Sequence, residues 1–216
     1  EPYQDSYSPN GIIGEKDACG VGFIANIKGV ESNWILKQSL KGLNCMEHRG
    51  GCGGDSDSGD GAGILCSIPW GYLEEKMNLK NTQKLNKGLG MIFMPNKKEK
   101  IEECKSICEE EAEKLRINKT SWRTVPVNNE ILGPLAKANA PFISQWILFI
   151  DKKDNDDIEK ILFQLRKRIE KKVRESFKNH VGDCEFYFAS LSSKTVVYKG
   201  MVRSEILSEF YQDLKE

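Results

Sequence analysis

Histidine is nearly missing from this chain, with His48 and His180 the only two in 216 residues. A Cys–His catalytic pair therefore has few ways to form, and His48, in a glycine-rich loop, is its one attractive member. Net charge is missing too, because 32 Lys and Arg balance 32 Asp and Glu. That removes the electrostatic reason to expect nucleic acid or an anionic membrane as partner. No apolar run approaches the ~18 residues of a membrane-crossing helix, so the sequence reads as that of a soluble protein. Apolar residues are few at 39% and charged ones many at 30%, which points to polar insertions around an ordinary core. A length of 216 residues suffices for one good-sized domain or most of a larger one. Seven cysteines, an odd number scattered through the chain rather than spaced as a disulfide frame, suit a reducing compartment. Cys104 and Cys108 stand at metal-ligand spacing on one helix face. With no histidine or second cysteine pair to complete a site, and with Ile101, Ala112 and Leu115 in the same stripe, they read as core.

What is present is concentrated between Ala18 and Gly63. From Cys19 to Ile27 the odd positions carry Cys, Val, Phe, Ala and Ile, the period-2 pattern of a strand buried on that face. Gly20 and Gly22 leave the opposite face bare for something to approach closely. After one helix comes the loop EHRGGCGGDSDSGDGAG from Glu47, whose glycines let the backbone come near a small ligand and offer N–H groups to it. Cys19 is the candidate nucleophile, because a thiol with pKa near ~8.5 reacts without heavy activation. Arg49 is the candidate anion holder, with the alternative that it braces the loop against Asp55, Asp57 or Asp60. A calcium loop starting at Asp55 fails because glycine replaces a regular ligand and Cys66 occupies the closing position. A phosphate-binding loop would need Gly-Lys followed by Ser or Thr.

The remaining chain mixes strands and helices without strict alternation, which supports an α+β fold. Helices are predicted from Ser32, as cap, to Met46, around Tyr72 to Met77, from Lys98 to Arg116, and along Ile158 to Phe177 behind the acids Asp154, Asp156 and Asp157. Strands are predicted at Ala62 to Ile68, Leu89 to Met94 and Phe142 to Ile150. Phe186 to Leu191 and Thr195 to Tyr198 read as a hairpin, and Ser204 to Leu214 as a final helix. The basic residues of the long helix, Lys160, Arg166, Lys167, Lys171 and Lys172, are interleaved with acids and read as a solvated face. Residues 1–18 lack periodicity and lack the apolar core of a secretory signal.

Seven ordered blocks give these features a family likeness. CGVGFIAN, EHRGGC, DSGDGAGIL, Ile68-Pro69-Trp70, WRTVPVN, LGPLAKANAP and TVVYKGM resemble the amino-terminal glutamine amidotransferase domain of glutamate synthase, in wording closest to the ferredoxin-dependent type. The resemblance implies the four-layer αββα sandwich of N-terminal nucleophile hydrolases, in which the first strand begins at the catalytic residue. It implies that residues 1–18 are a propeptide, and that cleavage after Ala18 frees the α-amine of Cys19 to act as base to its own thiol. It makes Arg49 the site arginine. It places the glutamine clamp and oxyanion donors beyond Glu216, so that 19–216 is the front part of the domain, incomplete at its C-terminal end and a poor glutaminase alone. No metal and no cofactor is expected within 1–216, and FMN and an iron–sulfur cluster are implied for later domains. L-glutamine and ferredoxin are the implied partners, without nucleic acid or membrane, in the cytoplasm or plastid stroma. Another class II amidotransferase and a sandwich that binds without catalysis are the alternatives.

Overall fold

The computed structural model describes residues 20–46, 61–79, 85–117, 119–150, 155–177 and 186–216. In chain order its helices and strands are α1 (Asn33–Cys45), β1 (Ala62–Ser67), α2 (Trp70–Lys76), β2 (Asn86–Met94), α3 (Lys98–Lys114), β3 (Lys119–Thr124), α4 (Pro134–Ala138), β4 (Phe142–Ile150), α5 (Asn155–Ser176), β5 (Tyr187–Ser192), β6 (Thr195–Gly200) and α6 (Leu207–Phe210). Short 3₁₀ turns lie at Asn129–Ile131, Ser204–Ile206 and Gln212–Leu214. Among the described residues the fold is a mixture of helices and sheets, as the sequence predicts, and the sheets are antiparallel.

β3, β4, β2 and β5 form a four-stranded antiparallel sheet in that order, and β1 and β6 form a separate two-stranded one. β2 and β4 are buried along almost their whole length, because helices cover one face and the small sheet the other. Against the first face, Ile92, Met94, Trp146, Leu148 and Phe188 meet Cys104, Cys108 and Ala112 of α3 and Leu162, Leu165, Ile169 and Val173 of α5. Cys104 and Cys108 are fully buried there, as their apolar stripe predicts. α5 lies close on β2 at Gly88, where an added Cβ would stand 2.8 Å from a Leu162 methyl. On the second face, Leu89, Met91, Phe93, Ile143, Ile147 and Phe149 share a core with Val196, Tyr198, Leu207, Phe210 and Tyr211. The two sheets therefore face each other across this second core.

Three expected elements take another form. The strand expected from Cys19 to Ile27 is absent over the described residues 20–27. A strand is held by a ladder to a neighbour, and along this segment the backbone bonds are local: Asn26 accepts from the Gly29 N–H at 2.9 Å through its carbonyl and from the Lys28 N–H at 2.8 Å through its side chain. Val21, Phe23 and Ile27 are fully exposed in consequence. The expected hairpin is a crossover, since β5 belongs to the large sheet and β6 to the small one. Its connection is tied by side chains: Glu159 accepts from Ser193 N–H and from both the Ser192 and Ser193 hydroxyls, and Ser190 Oγ accepts from Val197 N–H. The expected final helix is broken into turns around Tyr211, whose backbone is extended at φ −90° and ψ 105° and bridges to Val127. β3 went unpredicted because KTSWRT has no clean alternation; pairing with β4, including the Trp122–Trp146 stack at 5.1 Å, makes it a strand.

Candidate active site

Cys19 and Arg49 lie outside the described residues, as do His48, His180, Asp55, Asp57 and Asp60. The structure describes what flanks them. Gly20, next after Cys19, lies against Met46, three residues before Arg49: a Cβ on Gly20 would stand 3.1 Å from the Met46 sulfur, and one on Gly22 would be in contact with the same side chain. The bare glycine face therefore admits the end of α1, the close approach its two glycines imply. α1 is placed by ordinary helix chemistry. Ser32 is its N-cap and accepts from Ile35 N–H, and Leu36, Leu40 and Leu43 lie partly buried on the core between the sheets.

On the far side of the Arg49 loop the chain re-enters at Gly61, in a left-handed conformation at φ 135° and facing the Gly200 carbonyl. β1 then runs antiparallel to β6 from Ala62↔Gly200 to Ser67↔Thr195. The TVVYKG segment is thus the direct partner of the strand that leaves the glycine loop. Cys66 on β1 is unsuited to act as a nucleophile, because burial, helped by Glu31, pushes its thiol up to about 11.

Behind β6 sits a closed polar cluster. Arg123 of β3 holds Asp213 with both ends of its guanidinium, Nη1 to Oδ2 and Nη2 to Oδ1, each at 2.7 Å. Arg123 Nη1 also donates to Gln145 Oε1 at 2.7 Å. Gln145 Nε2 donates to the Tyr198 hydroxyl at 3.2 Å, and Tyr198 donates to Asp213 Oδ2 at 3.2 Å. Tyr72 donates to Asp213 Oδ1 at 3.0 Å. Gln145 and Tyr198 are fully buried, and the Asp213 side chain is 2% exposed. Burial works against the charge of Arg123, but Asp213 more than offsets it and holds the guanidinium above its usual range. Burial, with Asp213 beside it, pushes the Tyr72 hydroxyl up to about 12, so Tyr72 stays protonated and remains a donor.

Residue chemistry singles out Cys19 and Arg49 in the sequence, both outside the described residues, and passes over Arg123 and Asp213. The available signal was a lone arginine inside WRTVPVN, with a β-forming Trp before it and β-branched residues after. Its acid partner is 90 residues away, beyond the reach of any local pattern.

Among the described residues no group of three or more His, Cys, Asp or Glu is placed to hold a metal ion, and no helix is long and apolar enough to cross a membrane. The family model described as "Glutamine amidotransferases class-II" matches residues 19–216. The chain is 43% identical over 219 residues to "Ferredoxin-dependent glutamate synthase, chloroplastic" of Oryza sativa subsp. japonica, covering 100% of this chain and 13% of that protein. It is 46% identical over 209 residues to "Ferredoxin-dependent glutamate synthase 1, chloroplastic/mitochondrial" of Arabidopsis thaliana, covering 94% and 13%. It is 42% identical over 208 residues to "Ferredoxin-dependent glutamate synthase 2" of Synechocystis sp., again covering 94% and 13%. The chain thus spans about an eighth of the length of these relatives, at 13% in each case. The family match takes in nearly every residue described above, and the chain belongs to the class II glutamine amidotransferases.

Proposed function

We propose that this chain is the glutaminase part of a ferredoxin-dependent glutamate synthase, and that Cys19 is its nucleophile. Once the Ala18–Cys19 bond is cut, the α-amine of Cys19 takes the thiol proton, and the thiolate attacks the side-chain amide carbon of L-glutamine. The amide nitrogen leaves as ammonia with that proton, and water then releases glutamate from the thioester. Arg49 serves this site as an anion holder beside the thiol. Residues 1–18 are the propeptide, and residues 19–216 belong to the amidotransferase domain. The two facing sheets are read as the inner layers of the αββα sandwich.

The observation that carries this reading is the contact of Gly20 with Met46 in a chain of this family. It supports a site in which the residue after the thiol and the residue before the Glu47–Gly63 loop lie together. In the longer enzyme the ammonia goes to 2-oxoglutarate, with electrons drawn from ferredoxin. FMN and an iron–sulfur cluster supply that redox chemistry when bound. The described residues do not fit the cluster, since Cys104 and Cys108 are buried in the α3 core and Cys45 and Cys66 stand on separate elements. No step of the glutaminase reaction runs through either group. A plastid stroma or cytoplasm suits such an enzyme.

Two measurements test the reading. Mass spectrometry of the native protein is expected to find Cys19 at the N-terminus; an active enzyme retaining Glu1 would overturn self-activation by the α-amine. Cys19→Ala is expected to abolish glutamine-dependent glutamate formation in the full-length enzyme while leaving the ammonia-dependent rate in place. Glutamine use by that variant would remove Cys19 from the mechanism.

A further inference from the structure

We propose that Arg123 and Asp213 are positioning residues for the reaction at Cys19, acting through β6 on β1, the strand that leaves the Arg49 loop. The proposal rests on the glutaminase reading above. Neither residue is free to hold substrate: both Asp213 oxygens and both terminal guanidinium nitrogens are engaged, with Tyr72, Gln145 and Tyr198 completing the ring. What the pair does hold is β6. Asp213 accepts from Tyr198 at 3.2 Å, and Tyr198 is the register partner of Ile64 on β1. Two residues before Asp213, the Tyr211 hydroxyl donates to the Lys199 carbonyl at 2.6 Å, and Lys199 is the partner of Gly63. Next along, Gly200 pairs with Ala62, and its carbonyl lies under Gly61.

The 211–213 segment thus grips β6 at successive residues opposite the first residues of β1. It is itself fastened to β3 by Arg123, and to the chain just after β3 by the Gln212 N–H to Pro126 carbonyl bond at 3.2 Å. A buried ion pair contributes little net stability compared with an apolar substitute of the same shape, so stability alone is a weak reason for this one. A planar fork with every partner engaged does something a greasy contact cannot: it allows one register of β6, and through it of β1, against the large sheet.

The experiment uses the full-length enzyme with Arg123→Lys, Asp213→Asn and the double variant Arg123→Met/Asp213→Leu. Glutamine-dependent and ammonia-dependent steady-state rates, melting temperature, and hydrogen exchange of the 61–67 amides are measured on the same preparations. Misplacement of reacting groups by about 1 Å can cost a hundredfold, so the glutamine-dependent kcat of Arg123→Lys is expected to fall roughly ten- to a hundredfold. KM is expected to change less than about twofold, the ammonia-dependent rate not at all, and exchange of 61–67 to quicken in the folded enzyme. The apolar double variant is expected to regain melting temperature but neither the rate nor the slow exchange. A kcat that recovers together with stability in the double variant, or 61–67 amides that exchange as in wild type in all three variants, would overturn positioning. A wild-type enzyme without glutamine turnover would overturn the functional reading instead, and the exchange of 61–67 would still decide whether the pair holds the strand.

Discussion

The two faces of the four-stranded sheet are built on different principles. Toward α3 and α5 the interior is apolar, and its charged contact is made at the edge of the helix pair, where the buried Glu111 meets the half-exposed Arg168. Toward the small sheet, Arg123, Gln145, Tyr198 and Asp213 are set into an apolar surround. β4 contributes to both by strict alternation, with Trp146 and Leu148 on the helix side and Gln145 and Ile147 on the other. A face that only has to exclude water is satisfied by shape and area. One that must hold a strand at a chosen register gains from directional bonds, and here these lie on the side of β6 and β1.

The comparison breaks most sharply at Arg123. Arg123→Met leaves the Asp213 carboxylate buried without its cation, a loss of about 3–5 kcal/mol. Arg123→Met/Asp213→Leu is expected to return most of that. Denaturant unfolding of both measures the difference, and equal losses would show the ion pair itself to be the source of stability. On the helix-covered face, Leu162→Ala removes a fully buried side chain that lies on Gly88. It is expected to cost about 2–5 kcal/mol, with the glutamine-dependent rate of the folded enzyme nearly unchanged. A large rate loss there, at full occupancy of the folded state, would erase the functional distinction between the faces.

The smallest effect belongs to the rim. Burial raises the affinity of Glu111 for a proton, but Lys114 and Arg168 more than offset this and hold its carboxyl below the ordinary 4.5. A depressed carboxyl contributes stability that is complete above its unfolded pKa and is lost as pH falls through its folded one. Both cations are about half exposed, so Glu111→Gln is expected to cost only about 1 kcal/mol at neutral pH. The gap between variant and wild type should close as pH is taken below 4.5. Unfolding followed from pH 7 to pH 3 checks this, and a gap that persists at pH 3 would assign the effect to shape rather than charge.

Most elements were legible because their periodicity is local. α1 with its Ser32 cap, the α3 and α5 stripes, and β1, β2 and β4 all appear within a few residues of where apolar spacing puts them. The strand expected from Cys19 to Ile27 has the right alternation, but no neighbouring strand among the described residues completes its ladder. The proposal of Cys19 and Arg49 has a different basis, because thiol reactivity and a glycine loop are properties of residue type and short spacing, and both residues lie outside the described ones.

The sequence by itself therefore determined which faces are apolar and the seven blocks that mark the family. Tertiary structure alone decided that β5 and β6 part into different sheets, that Tyr211 interrupts a helix to bridge Val127, and that Arg123 closes on Asp213. Each of these depends on which group lies across a gap of many residues, and hydrogen-bond partners at that range are set by the assembled sheets. Periodicity along the chain records whether a side chain is buried, and carries no information about what it meets there.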